Sequence, residues 1–324
     1  MLIRPKKTGY RIDRKGVSLT GHWQKGDSIS TPKKLFVTDL DGTLLNDHKQ
    51  IAPQDLAALV RMRQMGVSVA LATGRSDYSF AKLLENLTAD LAGGLPADHI
   101  IFSTGAGIMD FPGRRLLKSF SLRPEDVRFI AQVLDSMTLD YMIHQPVPDT
   151  RSFLYCLRNN RENPDFHRRL QLYNSHAAPL SSVNLAASHG ATQVLCIVPA
   201  ESGHRIAHQV AASLKQFSVI KATSPLDGQS IWIEIFAPAV SKSQAVKWLA
   251  GEIGVSREQI CAVGNDYNDE DLLHWAGQSF VVANSPESIL ARFPAVASNN
   301  QAGVSEAASR WLGLCRSSVD ARLF

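Results

Sequence analysis

Residues 35–43 read LFVTDLDGT, a short apolar strand that runs directly into two aspartates. Side chains alternate between the two sides of an extended segment, so Asp39 and Asp41 are expected to lie on the same side. Two neighbouring carboxylates repel each other unless a proton or a cation lies between them. Oxygen ligands favour Mg²⁺ over zinc. The stretch therefore predicts a magnesium site, although an Asp-x-Asp pair alone is also typical of calcium loops and surface turns.

Strands and helices alternate on the C-terminal side of this stretch. A helix is predicted for Pro53–Met65, a strand for Val67–Ala72, a helix from about Tyr78 to Leu87, and a strand for His99–Ser103. Val67–Ala72 is largely apolar, as expected of a parallel strand that is covered on both faces. This βαβαβ order predicts an α/β fold with a doubly wound parallel sheet. In such sheets, ligands bind outside the carboxyl ends of the strands.

The alternation is interrupted and resumes near Lys242. Between about Ser121 and Phe236, paired strand-like runs, among them Gln193–Val198 and Ile231–Phe236, lie among helical ones such as Gly203–Phe217, which indicates an α+β insert. We therefore predict a catalytic core at residues 34–120 and 237–324, divided by an inserted cap domain at residues 121–236. Residues 1–33 are predicted to be a basic, disordered extension, because the first 34 residues hold nine Lys and Arg against two Asp.

Three further polar stretches stand beside predicted strands. Thr73-Gly74-Arg75 follows Val67–Ala72, where a hydroxyl and main-chain N–H groups can hold phosphoryl oxygens; a helix N-cap is a second, compatible role for Thr73. Lys242 begins a helix, where a positive charge is unfavourable and invites an anion, although lone lysines are usually solvated. Residues 264–269 read GNDYND, and four Asn or Asp in five positions exceed what capping a helix requires.

These motifs resemble those of a known family. DLDGT, TGR, the lysine and GNDYND stand in the order found in haloacid dehalogenase-like phosphatases. The large insert between the second and third motifs is similar to the Cof-type branch, whose cap resembles that of sucrose-phosphatase-like enzymes. The resemblance covers about Lys34 to Leu312. It implies a Rossmann-like core with an α/β cap, and hydrolysis of phosphate monoesters with Mg²⁺.

The resemblance also implies a role for each motif residue. Asp39 would attack phosphorus to give an aspartyl-phosphate, and Asp41 would act as general acid and then as general base while its main-chain carbonyl binds Mg²⁺. Thr73 and Lys242 would hold the phosphoryl oxygens, and Asp269 would support the metal or its waters. The candidate substrate-binding residues are Thr73, Gly74, Arg75, Lys242 and Asn268, and the candidate metal ligands are Asp39, Asp41, Asn265, Asp266 and Asp269.

Two positions depart from the family pattern. The fourth motif usually has aspartate directly after the glycine, but here Asn265 takes that place and Asp266 follows. An asparagine carbonyl can bind Mg²⁺ without adding negative charge, so both residues stay candidate ligands. Ser243 follows Lys242 where glycine is common. Arg75 has two alternative roles, contact with the leaving group or pairing with an acidic neighbour.

Composition narrows the functional classes. Hydrophobic residues make up 44% and charged residues 20% of the chain, as in ordinary globular proteins. The longest apolar runs are too short to cross a bilayer, and no apolar run follows the basic start as a secretory signal would require. Four dispersed cysteines without CxxC spacing indicate reduced thiols and a cytoplasmic location. Basic residues are not interleaved with aromatic ones elsewhere, so neither nucleic acid nor membrane is an expected partner.

Three functions of different classes follow from these patterns. The first is hydrolysis of a small phosphorylated metabolite, in particular a sugar phosphate, by a monomer or homodimer. The second is transfer of a phosphoryl group between two positions of a sugar, as in phosphomutases of similar cap type. The third is a non-catalytic binding module, which only Asn265 favours. Polar or aromatic residues of the insert that could contact a sugar are His144, Gln145, Tyr155, Arg158 and Arg161.

Overall fold

The strand that ends in DLDGT lies inside the largest sheet of the protein. In the computed structural model, which describes residues 34–88, 94–158, 163–182, 185 and 189–314, this strand is β1 (Lys34–Thr38). It is parallel to β2 (Val67–Ala72) on one side and to β12 (Ile260–Gly264) on the other. Every residue of β2 and β12 is buried, as expected of central parallel strands. The predicted basic extension, residues 1–33, lies outside the described residues.

Eight strands form this sheet. Its order is β14 (Ala295–Val296), β13 (Gln278–Val282), β12, β1, β2, β3 (His99–Phe102), β4 (Gly107–Asp110) and β5 (Leu116–Ser119). The strands from β14 to β3 are parallel, whereas β4 and β5 continue the edge in antiparallel orientation. The predicted α/β class is confirmed, and the antiparallel edge is an addition that the sequence pattern did not predict.

The antiparallel edge begins at an unusual turn. The third strand was predicted to end at Ser103, but it ends at Phe102, and Gly107 already belongs to β4. Ser103 and Thr104 adopt positive φ values of 46° and 55°, which reverse the chain within a few residues. Residues other than glycine rarely adopt this conformation, so local residue types did not indicate the reversal.

Helices cover both faces of the eight-stranded sheet. One face carries α1 (Pro53–Gln64), α2 (Asp77–Thr88) and α9 (Gly303–Trp311), and the other carries α6 (Lys242–Ile253), α7 (Glu270–Trp275) and α8 (Glu287–Leu290). Because side chains alternate along β1, this strand contributes to the apolar core on each face of the sheet. Phe36 packs with the first group of helices, and Leu35 and Val37 pack with the second. The sheet is therefore doubly wound.

A second, separate sheet is built from the residues between β5 and α6. Its six strands lie in the order β10 (Ser218–Thr223), β11 (Ile231–Phe236), β9 (Gln193–Val198), β6 (Tyr141–His144), β7 (Phe153–Cys156) and β8 (Ala177–Pro179). One face packs against α3 (Pro124–Ser136) and α5 (Ala200–Ser213). On the opposite face, Phe166 of α4 (Pro164–Leu172) joins an apolar cluster with Met142 and Leu195.

Within the insert, local patterns predicted some elements better than others. The strands Gln193–Val198 and Ile231–Phe236 have the predicted bounds. The polar stretch after β7, which carried no prediction, contains α4 and β8. The helix predicted for Gly203–Phe217 spans Ala200–Ser213 instead, because α5 starts directly after Pro199 and its chain leaves the helix before the apolar pattern ends. The ends of a helix thus depend on its capping residues, which the periodicity of apolar residues does not reveal.

Two further observations concern sequence features of the whole chain. Among the described helices, none combines the length and the apolar character needed to cross a membrane. Cys156, Cys196 and Cys261 are buried and carry free thiols, as the dispersed spacing of the cysteines predicted. Cys315 lies outside the described residues.

Asp55 is a buried carboxylate that links α1 to the start of α9. Its side chain is fully buried, Oδ1 accepts a 2.6 Å hydrogen bond from the main-chain N–H of Ser305, and Oδ2 has no partner in the described part of the chain. Burial raises the pKa of Asp55 to about 7. Since this value exceeds that of the unfolded chain, the folded protein binds more protons between about pH 4 and pH 7, and stability falls as the pH rises through that range.

Replacing Asp55 with asparagine is expected to flatten this part of the pH dependence. The asparagine side chain keeps an acceptor for Ser305 but cannot ionise, so the variant should lose less stability than the wild type between pH 5 and pH 8. The difference should be on the order of 2–4 kcal/mol. Urea unfolding at both pH values measures it, with the exposed Asp149→Asn as control. Equal losses in Asp55→Asn and wild type would refute this account of Asp55.

Candidate active site

The carboxyl edge of the eight-stranded sheet brings the sequence motifs together. Asp39 follows β1, and its main-chain N–H donates a 2.8 Å hydrogen bond to the carbonyl of Val263 in β12. Leu40 is fully buried in the core, whereas Asp39 and Asp41 both line a cavity above the edge. Thr73 ends β2 next to them. Parallel strands end at the same edge, which places residues far apart in sequence around one cavity.

Lys242, at the start of α6, is fully buried between two carboxylates. Its Nζ atom lies 2.7 Å from Oδ1 of Asp39 and 2.5 Å from Oδ1 of Asp269. Burial lowers the pKa of Lys242, but the carboxylates of Asp269 and Asp39 outweigh burial, and the pKa lies above its ordinary value. Lys242 is therefore a permanent cation that holds the Asp39 carboxylate in place.

Asp269 connects Lys242 to the loop that follows β12. Its second oxygen, Oδ2, accepts hydrogen bonds from the main-chain N–H groups of Asn265 and Asp266, at 2.8 and 3.1 Å. Gly264 gives the carboxylate room, because a Cβ atom at this position would lie 2.5 Å from Cγ of Asp269. The glycine of the GNDYND motif thus allows the loop to close tightly on a buried carboxylate.

Asn265 and Asp266 point to different parts of the protein. The Oδ1 atom of Asn265 accepts a 3.1 Å hydrogen bond from the hydroxyl of Thr43, so its side chain lies beside the DLDGT loop. The carboxylate of Asp266 accepts hydrogen bonds from the main-chain N–H and the hydroxyl of Thr223, at 2.6 and 2.9 Å. Thr223 belongs to β10, so Asp266 ties the loop to the second sheet. Gly42, at φ +75°, lies against the Asn265 amide.

The carboxylate of Asp41 is held by two cations. Arg75 donates to both of its oxygens, at 2.6 and 2.7 Å, and Nζ of Lys49 lies 3.0 Å from Oδ1. Burial raises the pKa of Asp41, but the hydrogen bonds and charge of Arg75, together with Lys49, bring it below its ordinary value. Of the two roles considered for Arg75, pairing with an acidic neighbour is the one found in this structure.

Thr73, Gly74 and Asn268 also line the cavity. Thr73 is almost fully buried, and its Oγ1 accepts a 3.0 Å hydrogen bond from the main-chain N–H of Arg75, as a turn-capping threonine does. The Oδ1 atom of Asn268 lies 3.5 Å from Nζ of Lys242. A Cβ on Gly74 would be 3.5 Å from Nδ2 of Asn268, so these residues from separate motifs surround the same space.

A cavity of about 700 Å³ lies between these motif residues and the second sheet. Its volume is typical of a site for a small molecule. Beyond the residues described above, the side chains that line it on the second-sheet side include His144, Phe153, Arg169, Tyr173, Gln193, Trp232 and Glu234. At one end the cavity is lined by charged side chains of both signs, among them Asp39, Asp41 and Lys49, while Lys242 and Asp269 are not among the lining residues. The other end is mixed aromatic and polar.

Glu234 joins the two ends of the cavity. This residue of β11 is 3% exposed, and its Oε2 accepts a 2.9 Å hydrogen bond from the hydroxyl of Thr104, at the turn after β3. Burial raises the pKa of Glu234 to about 7, against the influence of Thr104, Arg169 and Lys242. The pKa of Glu234 is therefore influenced both by Lys242 at the core end of the cavity and by Arg169 at the second-sheet end.

Comparison with known families decides the identity of this arrangement. Residues 36–307 match the family described as haloacid dehalogenase-like hydrolase. The chain belongs to the haloacid dehalogenase-like hydrolases. The match spans both sheets, so the second sheet is part of the family architecture, as in the Cof-type branch that the sequence motifs indicated. The expected enzyme class, a phosphatase of this superfamily, is thereby confirmed.

Individual relatives share the whole architecture. Phosphatase YwpJ of Bacillus subtilis is 26% identical over 304 residues, which cover 84% of this chain and 97% of that protein. HMP-PP phosphatase of Cronobacter sakazakii is 24% identical and covers 81% of this chain and 88% of the relative. The structure of the subclass IIB sugar phosphatase BT4131 superposes with a TM-score of 0.66 at 16% identity, covering 86% of this chain and 99% of that one. At this identity, the superposition shows that the two proteins share a fold and nothing further.

The charges around Asp39 in this haloacid dehalogenase-like hydrolase fit a divalent cation. Asp39 and Asp269 share one lysine, which leaves one negative charge unbalanced in a buried place. Burial raises the pKa of Asp39, and the neighbouring Asp269 raises it further, although Lys242 opposes both, as expected where a carboxylate is incompletely neutralised. Beside Asp39, the main-chain carbonyl of Asp41 and the amide oxygen of Asn265 are donors of the type that Mg²⁺ prefers.

The mixed chemistry of these donors explains why side chains alone do not form a metal-binding cluster at this place. Within the described ranges, no group of three or more His, Cys, Asp and Glu side chains is placed to hold a metal ion. Asp269 is committed to Lys242 and two main-chain N–H groups, and Asp266 is committed to Thr223. A site at Asp39 would therefore combine carboxylate, amide and main-chain oxygens. We favour Asn265 over Asp266 as its ligand, because Asn265 lies beside the DLDGT loop whereas the Asp266 carboxylate is bound to the second sheet.

Of the insert residues that were candidates for contact with a sugar, only some line the cavity. His144 lines it. Gln145 and Tyr155 are not among the lining residues, and Arg158 forms an ion pair with Asp135 at 2.8 Å. Arg161 lies outside the described residues. Arg158 was selected for its charge, but charge alone does not distinguish a ligand-binding arginine from one in a surface ion pair.

Several cavity residues were not identified from the sequence. Glu234 and Trp232 alternate with apolar residues along β11 and therefore share one face of the sheet, a signal that was available in the period-two pattern. Arg169 and Tyr173 lie in and just after α4, in the stretch that carried no prediction. An arginine in a polar stretch looks solvated until the tertiary fold places it in a cavity.

Proposed function

We propose that this protein hydrolyses phosphate monoesters of small metabolites, in particular sugar phosphates, through an aspartyl-phosphate on Asp39. The observation that carries the proposal is the Asp39–Lys242 pair at 2.7 Å, in which Asp39 lines a cavity large enough for a sugar phosphate and Lys242 is buried beside it. A fixed carboxylate beside a fixed cation supplies a nucleophile and a charge for the phosphoryl oxygens. Phosphoryl transfer requires mainly such positioning and charge stabilisation.

In the first step, an oxygen of the Asp39 carboxylate attacks phosphorus, and the bond from phosphorus to the leaving oxygen breaks. Lys242 and the hydroxyl of Thr73 hold the phosphoryl oxygens. The leaving alcohol takes its proton from Asp41. Arg75 and Lys49 favour the ionised form of Asp41, so proton donation requires Arg75 to turn from Asp41 to the substrate. Removing that cation raises the pKa of Asp41.

In the second step, water attacks phosphorus and the bond to the Asp39 oxygen breaks. Asp41, now ionised, takes the proton of that water, and inorganic phosphate leaves. The contacts of Arg75 and Lys49 with Asp41 favour this base form. Asn268 and Gly74 line the same side of the cavity and bound the space that the phosphoryl group occupies.

Mg²⁺, held by Asp39, the main-chain carbonyl of Asp41 and Asn265, would supply additional positive charge for the phosphoryl oxygens. The Asp269 carboxylate accepts hydrogen bonds from the main-chain N–H of Asn265 and from the amine of Lys242, and it thereby positions both residues. Asn265 brings no negative charge of its own, so we expect metal binding to be weaker than at an all-carboxylate site.

The substrate class draws its support from the cavity. The names of the relatives point to different substrates, a sugar phosphate for one and HMP-PP for another, and one fold commonly serves several substrates. Polar side chains between aromatic ones, as found at the second-sheet end, are suited to a molecule with hydroxyl groups and apolar faces. This combination favours a sugar phosphate.

The proposal is tested with the purified full-length chain. Phosphate release is measured from p-nitrophenyl phosphate and from a panel of sugar phosphates, with Mg²⁺ and with EDTA. We expect release that depends on Mg²⁺ and is fastest for a member of the sugar phosphate panel. Analysis of the sugar product separates hydrolysis from transfer to a second hydroxyl. No release from any substrate with Mg²⁺ present would contradict the proposal.

A further inference from the structure

Three buried polar atoms at the second-sheet end of the cavity have no hydrogen-bond partner. They are Nε2 of His144, Oε1 of Gln193 and Nε of Arg169, and all three residues line the cavity. His144 is 5% exposed and Gln193 is 7% exposed. Buried polar atoms are nearly always hydrogen-bonded in folded proteins. Three exceptions around one cavity in the described part of the chain indicate that a ligand supplies the missing partners.

Two of these atoms lie side by side on the sheet. His144 of β6 is directly opposite Gln193 of β9 in the antiparallel ladder, and opposite Phe153 of β7 on its other side. Directly opposite residues project from the same face, with Cβ atoms about 5 Å apart. The His144 ring also packs on the Phe153 ring, at 4.9 Å between centroids. The sheet therefore fixes the positions of both polar groups.

The unpartnered nitrogen of His144 is a hydrogen-bond acceptor. Burial and the charge of Arg169 lower the pKa of His144 to about 3, so the ring is neutral. The hydrogen bond to the main chain of Thr150 acts in the opposite direction, as a ring N–H that donates to a carbonyl does. Since Nε2 is the unpartnered nitrogen, Nδ1 is the donor and Nε2 carries a lone pair. His144 and Gln193 thus present two adjacent acceptors.

Arg169 offers donors to the same space. Its guanidinium lies 4.6 Å from the centroid of the Trp232 ring and 5.2 Å from that of Tyr173. No ion pair of Arg169 occurs among the described residues, yet Glu234 and Asp165 lie near enough to influence its pKa. These carboxylates offset its charge and disfavour a second anionic group on the ligand. A neutral oxygen is the better partner for its free N–H.

We propose that His144 and Gln193 accept hydrogen bonds from two neighbouring hydroxyl groups of the substrate, while Arg169 donates to a third oxygen. The inference rests on the proposed phosphatase function and defines its substrate class as polyhydroxylated phosphates with one anionic group. Phosphates of plain alkyl alcohols leave all three atoms unpartnered and are disfavoured. A site built to bind hydroxyl groups discriminates strongly against analogues that lack them.

The test compares substrates of equal carbon number. The ratio of kcat/KM for hexose and hexitol 6-phosphates to kcat/KM for hexyl phosphate is measured for wild type, Gln193→Leu and His144→Phe. We expect at least one six-carbon sugar or polyol phosphate to exceed hexyl phosphate by about 100-fold or more in the wild type. Each variant should lower that ratio by about 10-fold or more, since each loses one hydrogen bond to the sugar. Gln193→Glu, which keeps an acceptor, should lose less than Gln193→Leu.

Gln209→Leu is the matched control, because Gln209 lies exposed on α5, which packs on the opposite face of the sheet. It should retain the wild-type ratio. A wild-type ratio near one, or a ratio unchanged in Gln193→Leu, overturns the inference while turnover of p-nitrophenyl phosphate upholds the phosphatase function. If no substrate is turned over, calorimetric binding of the six-carbon phosphates decides, and binding no tighter than that of hexyl phosphate overturns the inference.

Discussion

Replacing Asp39 with asparagine is expected to lower the rate of phosphate release by about 10³-fold or more, because the variant lacks the nucleophilic oxygen. The substitution is nearly isosteric, and the new side-chain carbonyl can still accept the hydrogen bond from Lys242. Asp269 remains as a charged partner for Lys242 at 2.5 Å. The loss should therefore appear in kcat without a large loss of folded protein. Steady-state kinetics and circular dichroism measure the two effects separately.

A trapping experiment assigns the loss to the covalent step. Acid quenching during turnover of a phosphate-labelled substrate should leave label on the wild-type protein and none on Asp39→Asn. Asp126→Asn is the control, since Asp126 lies on α3 and does not line the cavity; it should retain label and rate. Substantial turnover by Asp39→Asn, or label that persists on it, would show that Asp39 is not the phosphorylated residue.

The sequence predicted the core side of this site because its geometry is repetitive. The motifs at Asp39, Thr73 and Asn265 each follow a strand of the parallel sheet, and parallel strands deliver their carboxyl ends to one edge. Lys242, 203 positions from Asp39, follows β11 of the second sheet instead, so its place beside Asp39 depends on the packing of α6 and not on this rule. The buried charges also favour this arrangement, because two buried carboxylates and one lysine are stable only when they lie next to one another.

The orientation of Asp266 could not be predicted in this way. Asn265 and Asp266 are adjacent in a loop, and nothing local distinguishes which side chain faces the DLDGT loop. The distinction arises from Thr223, whose N–H and hydroxyl capture the Asp266 carboxylate. Thr223 belongs to the second sheet and lies 43 positions away. A contact between two separate sheets is a property of tertiary structure that local patterns do not encode.

The second-sheet end of the cavity was the least accessible to prediction. Its strands β9 and β11 are nearly continuous apolar runs and were located for that reason, but the polar residues on their inner face were not recognised as ligand-facing. Gln193 is the first residue of β9 and stands directly before the apolar run of that strand. Its meaning depends on the neighbour that the register supplies, His144, and register is set by the whole sheet.

Replacing Lys242 with methionine is expected to have the largest effect on stability. The variant keeps most of the side-chain volume but leaves Asp39 and Asp269 as buried carboxylates without their shared cation. Removing one partner from a buried ion pair typically costs about 3–5 kcal/mol. The rate of phosphate release should also fall, by about 10²–10³-fold, because a charge that stabilises the transferring phosphoryl group is lost. Urea unfolding and kinetics measure the two effects.

Two further variants locate the cause. Lys247→Met makes the same change on an exposed position of the same helix and should alter stability by no more than about 0.5 kcal/mol. Adding Asp269→Asn to Lys242→Met removes one of the uncompensated charges and should restore part of the stability. Because Asp269 also accepts two main-chain N–H groups, which an asparagine carbonyl can serve only in part, recovery should be incomplete.

The pH at which Lys242→Met is measured separates two accounts of the triad. If Lys242 neutralises ionised carboxylates, the variant must take up a proton on folding, so its stability relative to wild type should fall as the pH rises from 5 to 8. If one carboxylate is already protonated in the wild type, that difference should be small and independent of pH. The second outcome would mean that Asp39 can carry a proton at neutral pH and is not the permanently ionised nucleophile on which the proposed attack at phosphorus depends.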